Sequence, residues 1–337
     1  VKIKLLLAAL IATVFVGAAS AQSLNGAGAT FPNPIYTKWF SEYHNAHPEV
    51  TINYQGIGSG GGIRQVTAGT VDFGATDGPM TDQQLADAKK AGHDLLHIPT
   101  VLGAVVPIYN LPGMKFPLKF SGDVLADIYL GKITTWNDPR LVKDNPDANL
   151  PAQNILIVHR SDGSGTSYIW TDYLSKVSSA WAGGPGRNTA VNWPMGIGGK
   201  GNEGVAGMVR QNPGAIGYVE LIYALQNHMD YGLVKGANGK WVQASIQSVT
   251  NAAASAKIPA DFRVSITNAP GEEAYPIASF TWLLIPKNSA DPAKGKVLVD
   301  FVNWMLDHGE SEVNSLSYAP LPASVAANVR KTIMTVH

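Results

Sequence analysis

Residues 160 to 166 read Arg-Ser-Asp-Gly-Ser-Gly-Thr, a guanidinium, hydroxyls and glycines packed into one short stretch. They follow an apolar run (Ile155, Leu156, Ile157, Val158) that reads as a strand. They precede Tyr168, Ile169, Trp170 and Tyr173, which read as the start of a helix. A strand turning through glycine into a helix aims backbone N–H groups and the positive end of the helix dipole at one point. Arg160, Ser164 and Thr166 add donors there. The chemistry this suits is the holding of a small oxyanion.

Three more segments are rich in glycine and hydroxyls where a strand meets a helix or a helix begins: residues 26–32, 56–62 and 72–77. Any one alone reads as an ordinary turn. Four at equivalent positions of α/β units point to convergence on one anion. Gly56, Gly58 and Gly61 also fit G-x-G-x-x-G, with Asp77 about twenty residues further on, the dinucleotide pattern. However, a helix precedes the first strand, and an exported chain meets little NAD. The glycines are therefore read as letting backbone approach a smaller ligand closely.

A nucleophile reading of Ser59 or Ser164 lacks the G-x-S-x-G frame, since residues 57 and 162 are Ile and Asp. His159 is the base nearest Ser164 in sequence, but as a strand neighbour of Arg160 it points the opposite way. The pairs His44/His47 and His93/His97 have helical spacing without a carboxylate cluster, so they read as surface or core histidines rather than metal ligands. Gly198-Gly199-Lys200-Gly201 lacks the hydroxyl residue that a Walker motif places after lysine. The tryptophans read as core or cleft wall, and no metal or cofactor is expected.

Alternating elements must position these loops. Ile35, Trp39, Phe40 and Tyr43 follow Pro34 at helical spacing, and Val50, Ile52 and Tyr54 alternate as a strand. Thr81 with Gln84 forms a capping box, and Ser121 is placed to cap a helix that stops at Gly131. Val101–Tyr109, 215–219 and 280–285 read as strands; 202–210, 219–227, 291–308 and 322–334 read as helices. Ala237-Asn238-Gly239 reads as a hairpin turn. At ~150 residues per domain the length favours two domains. With no Pro/Ser-rich linker, the chain is expected to cross between them more than once and so form a cleft.

The first 21 residues carry Lys2 and Lys4, an apolar run and Ala19-Ser20-Ala21, the pattern of a cleaved secretory signal. Their removal takes two lysines from a chain of 25 basic and 25 acidic residues, leaving a formal charge of −2 and no basic character to attract nucleic acid. The absence of cysteine excludes thiolate metal sites and a lipid-modified cysteine anchor. A soluble periplasmic protein, monomeric and not lipid-anchored, is the expectation.

Taken together, GAGATFP (26–32), NYQGIGSGGG (53–62), VDFGATD (71–77), DIYLGKITTWND (127–138), RSDGSGTS (160–167), GGKGNEG (198–204) and PGAIGYVE (213–220) resemble the periplasmic phosphate-binding proteins of phosphate ABC importers. The resemblance implies an α/β, type II periplasmic binding protein with two lobes, two hinge crossings and a ligand cleft between them. One lobe would be 22–108 with 277–337, the other 109–276. It implies a binding protein rather than an enzyme, with inorganic phosphate as ligand and the transmembrane permease subunits as partners. It further implies that phosphate is held by Thr30 and Phe31 through backbone at the first helix start, and by Ser59, Asp77, Arg160, Ser164, Gly165 and Thr166, with Asp162 paired to the arginine. Gly60, Thr76 and Gly78 depart from the family's usual residues without touching these positions. Two rivals stay open at this level: an exported hydrolase, separated by turnover of an ester, and a carrier of another tetrahedral anion. Sulfate is separated by Asp77, because a carboxylate in an anion site needs a ligand that brings its own proton.

Overall fold

The computed structural model describes residues 22–114 and 116–337, so the signal segment expected over residues 1–21 lies outside the described residues. The chain opens with β1 (Gln22–Gly28), α1 (Asn33–Ala46), β2 (Val50–Gly56), α2 (Ser59–Thr67), β3 (Phe73–Thr76), α3 (Asp82–Lys90) and the long β4 (Leu95–Tyr109). It continues through β5 (Lys119–Phe120), α4 (Gly122–Tyr129), α5 (Pro139–Asp144), β6 (Leu156–Arg160), α6 (Gly165–Val177), α7 (Ser179–Gly183), β7 (Ile197–Gly199), α8 (Gly201–Gln211), β8 (Ala215–Glu220) and α9 (Leu221–Gln226). Then come β9 (Asp230–Tyr231), β10 (Leu233–Lys235), β11 (Trp241–Val242), α10 (Ile246–Ala254), β12 (Ala278–Pro286), α11 (Pro292–Asp307) and α12 (Ala323–Ile333).

The main sheet runs β2-β1-β3-β12-β4-β8-β6-β7. In the first half β1, β2 and β3 are mutually parallel; in the second, β6, β7 and β8 are. Between them, β4 and β12 run antiparallel to their neighbours. The joining element is β4, which pairs with β12 as far as Ala104 and with β8 from Val105. Beside that switch the Val105 N–H donates to the Ile277 carbonyl at 2.8 Å, just before β12 begins. Two runs of backbone thus lie together where one half gives way to the other.

Local chemistry explains where the elements match expectation and where they differ. Helix α1 starts beside Pro34 and buries Ile35, Tyr36, Trp39, Phe40 and Tyr43. The Thr81–Gln84 capping box is made in both directions. Strand β4 begins at Leu95, well before the apolar run at Val101, because a bulge opposite Thr281/Trp282 accommodates Pro99, which has no N–H to give the ladder. Ser121 precedes α4 but makes no capping bond; its hydroxyl donates instead to Asp144 Oδ2 at 2.7 Å, a charged acceptor at the end of α5. The expected helix 219–227 starts only at Leu221, since Val219 and Glu220 pair with Val106 and Val105. Glu220 then caps α9, accepting from the Ile222 N–H at 2.8 Å. Trp39, Trp136, Trp170, Trp181 and Trp282 are fully buried, as core residues.

Candidate functional site

Strands β1, β2 and β6 end at Gly28, Gly56 and Arg160, with helices α1, α2 and α6 beginning a few residues beyond, and β3 ends beside them at Thr76. These are carboxyl ends of parallel strands, where α/β sheets present their sites. Thr30 and Phe31 lie just before α1, Ser59 opens α2, Asp77 follows β3, and Ser164 is the N-cap of α6 ahead of Gly165 and Thr166. These seven and Arg160 are all buried. The first N–H groups of α2 and α6 have no acceptor within their own helices, so both present donors at this locus.

The side chains brought together come from both halves. A Cβ built on Gly165 would lie 2.4 Å from both Asp77 Oδ2 and Ser59 Oγ, so the start of α6 sits directly against the first-half residues. One on Gly58 would lie 2.2 Å from Asp162 Oδ2, and Gly58 already holds φ +87°. The Gly60 N–H donates to the Gly163 carbonyl at 2.8 Å, a backbone bond across the seam. Glycine is required along this seam because any side chain would hold the halves apart.

Arg160 is held from behind. Its Nε and Nη2 donate to Asp162 Oδ1 and Oδ2 at 2.8 and 2.6 Å, a two-pronged ion pair, and Nη1 donates to Thr166 Oγ1 at 3.3 Å. The Gly201 N–H adds a bond to Asp162 Oδ1 at 3.1 Å. Burial pushes the Asp162 carboxyl up, but the Arg160 bonds and charge and the Gly201 N–H outweigh it and hold the group below its ordinary range. His159 turns to the other face, stacked on Trp193 at 4.9 Å between ring centres, as strand alternation requires.

The hydroxyls share one pattern: each already accepts from an N–H. Ser59 Oγ takes the Asp77 N–H at 3.2 Å, and Ser164 Oγ the Ser167 N–H at 3.0 Å. Thr30 Oγ1 takes Asn202 Nδ2 at 2.8 Å, and Thr166 Oγ1 takes Arg160 and Asn202. A hydroxyl whose lone pairs are engaged keeps its proton to give. Asp77 sets a second carboxylate, besides the one tied to Arg160, against these donors. Its Oδ1 accepts from Thr281 Oγ1 at 2.8 Å, while Oδ2 lies 3.5 Å from Ser59 Oγ and faces the start of α6. Burial pushes the Asp77 carboxyl up to about 7, with Thr281, Arg160 and Ser59 pulling the other way.

That shift has a stability consequence. An acid whose folded pKa is raised contributes full stability below the ordinary carboxyl range and loses it as pH rises through about 7. In anion-free buffer, Asp77→Asn is expected to raise Tm above that pH, corresponding to on the order of 2–4 kcal/mol, with the gain fading toward pH ~4. Thermal unfolding of both proteins across this range checks it.

Three residues of the locus had no role assigned from sequence. Thr281 sits on β12, Asn202 starts α8, and Tyr223 on α9 donates to the Thr30 carbonyl at 2.5 Å. Phe31 faces away with its ring while its carbonyl accepts from Tyr318 OH at 2.6 Å. His97 is buried and accepts from the Met80 N–H at 3.1 Å. Among the described residues no group of three or more His, Asp or Glu could hold a metal ion, and no helix is long and apolar enough to cross a membrane.

A family model described as a PBP superfamily domain matches residues 14–308. A phosphate-binding protein PstS of Xylella fastidiosa is 47% identical over 309 residues, covering 91% of this chain and 83% of its own. One from Pasteurella multocida is 44% identical over 328 residues, covering 96% and 94%. Among solved structures, a high-affinity periplasmic phosphate-binding protein with phosphate bound aligns with a TM-score of 0.74 at 21% identity, over 92% of this chain and 93% of that one. A phosphate-binding protein from Stenotrophomonas maltophilia gives 0.70 at 19%, over 92% and 94%. These likenesses show the same two-domain α/β fold. With family model and relatives both spanning most of its length, the chain belongs to the PBP superfamily and, within it, to the family of PstS phosphate-binding proteins.

Proposed function

We propose that this chain binds inorganic phosphate between its two halves and delivers it to the permease of an ABC phosphate importer. The ligand contacts are Thr30, Phe31, Ser59 and Asp77 from one half and Arg160, Ser164, Gly165 and Thr166 from the other. Asp162 fixes the plane of Arg160. The division into lobes follows 22–108 with 277–337 against 109–276, the crossings lying close to the β4 partner switch at Ala104/Val105 and to the adjoining Ile277. The protein works as a monomer in the periplasm, after loss of residues 1–21, and carries out no reaction on its ligand.

The observation that carries this reading is a buried carboxylate, Asp77, among converging donors, its Oδ2 engaged by a single long bond of 3.5 Å from Ser59 Oγ. Removing an anion's hydration is expensive, and only dense pairing offsets it. Helix-start N–H groups, four hydroxyls and one tethered guanidinium meet unprotonated oxygens. Asp77 meets the oxygen that still holds a proton. Because contacts come from both halves, the ligand favours the closed arrangement by its differential affinity.

Equilibrium dialysis against inorganic phosphate, run beside incubation with a phosphate monoester, tests this. One phosphate per chain and no ester turnover are expected. Ester hydrolysis would move the chain to the hydrolases, and failure to retain phosphate would remove the ligand assignment.

A further inference from the structure

Asn202, the second residue of α8, is fully buried, and both polar atoms of its side chain are hydrogen-bonded. Its Oδ1 accepts from the Glu220 N–H at 3.0 Å. Its Nδ2 donates to Thr30 Oγ1 at 2.8 Å and to Thr166 Oγ1 at 3.2 Å, two hydroxyls from opposite halves. A hydroxyl oxygen has two lone pairs and one hydrogen. Thr30 Oγ1 takes a second donor, the Asn202 N–H at 3.3 Å, and Thr166 Oγ1 takes a second from Arg160 Nη1 at 3.3 Å. With both acceptor positions filled, each hydroxyl can only donate. The Glu220 N–H keeps the amide from turning over. Turned, its NH2 would oppose that N–H, and its oxygen would draw both hydroxyl protons away from the ligand.

We propose that Asn202 is a positioning residue that sets the hydrogen-bond direction of Thr30 and Thr166, committing both as donors to the anion. Since Thr30 lies on the half opposite Asn202, its hydroxyl is committed only when the halves close. An open protein thus presents Thr30 uncommitted, and closure completes the donor set. This rests on the phosphate reading above and adds the source of the site's donor polarity.

The test is a titration cycle with inorganic phosphate on the full chain. The proteins are wild type, Asn202→Ala, the double variant Thr30→Val/Thr166→Val, and the triple variant. Asn202→Ala is expected to weaken binding about 10- to 100-fold in the wild-type background but less than about threefold once both hydroxyls are gone, the non-additivity of groups acting through one another. Equal losses in both backgrounds, or no loss in the first, would overturn the proposal, because a packing role does not depend on the hydroxyls. If Asn202→Ala fails to fold, the isosteric Asn202→Asp is run in the same two backgrounds. There, charge repulsion with the anion cancels, and only the inverted hydroxyls give coupling; absence of coupling again overturns it. A wild type that does not bind phosphate overturns the ligand assignment itself. A wild type that binds without coupling overturns the role of Asn202 alone.

Discussion

Asp77→Asn is expected to bind sulfate, with phosphate-over-sulfate discrimination falling about 30- to 1,000-fold. Thr281 donates to Asp77 Oδ1, so an asparagine keeps its oxygen there and sets its NH2 where Oδ2 was, facing the start of α6. In the native site sulfate, which carries no proton at ordinary pH, would press an unprotonated oxygen against a buried carboxylate oxygen. Leaving such a group unpaired costs about 2–4 kcal/mol, each 1.4 kcal/mol being tenfold. The variant replaces that repulsion with a donor. Phosphate keeps its other contacts and still binds, because it can turn an unprotonated oxygen toward the new NH2. Parallel titrations of both proteins with both anions decide the point. An unchanged ratio would mean that Asp77 does not choose the ligand.

Gly165→Ala is expected to weaken phosphate binding by at least about 100-fold while leaving the anion-free fold intact. The added methyl would stand 2.4 Å from Asp77 Oδ2 and Ser59 Oγ and 2.6 Å from Asp77 Cβ, all in the opposite half. Contacts that short cannot persist in a close-packed interior. The halves must separate, and the ligand would then lose its shared contacts. Alanine suits the first turn of a helix, so α6 itself has no reason to unravel. Small-angle scattering with and without phosphate would show the variant staying extended where the wild type compacts. A variant that compacts and binds normally would mean the halves do not meet at this residue when the ligand is held.

Much of this site was legible because its chemistry is local. Glycines and hydroxyls clustered at strand-to-helix junctions disclose the donor loops, and the two-residue spacing of Arg160 and Asp162 leads to their two-pronged pair. Strand alternation separated His159 from Arg160. What was not legible depends on pieces distant in sequence. Thr281 lies inside the apolar run 280–285 of β12, and nothing about its neighbours marks it; only the antiparallel pairing of Trp282 with Thr76 brings it to Asp77. Asn202 stood in a quoted motif, but its role needs Thr30 and Thr166 at once. Ser121 shows the converse error: a sound local cap rule lost to a carboxylate twenty-three positions away. The run expected from Val101 is extended back to Leu95, the bulge opposite Thr281/Trp282 carrying β4 past Pro99.

On the proposed function, Asp77 set among donors selects an anion that brings its own proton. The most direct test is calorimetric competition on the wild-type protein near neutral pH, with phosphate titrated in the presence of excess sulfate. One phosphate per chain is expected, with an affinity that excess sulfate barely alters. Sulfate displacing phosphate on equal terms, or binding at the same site with comparable affinity, would contradict it.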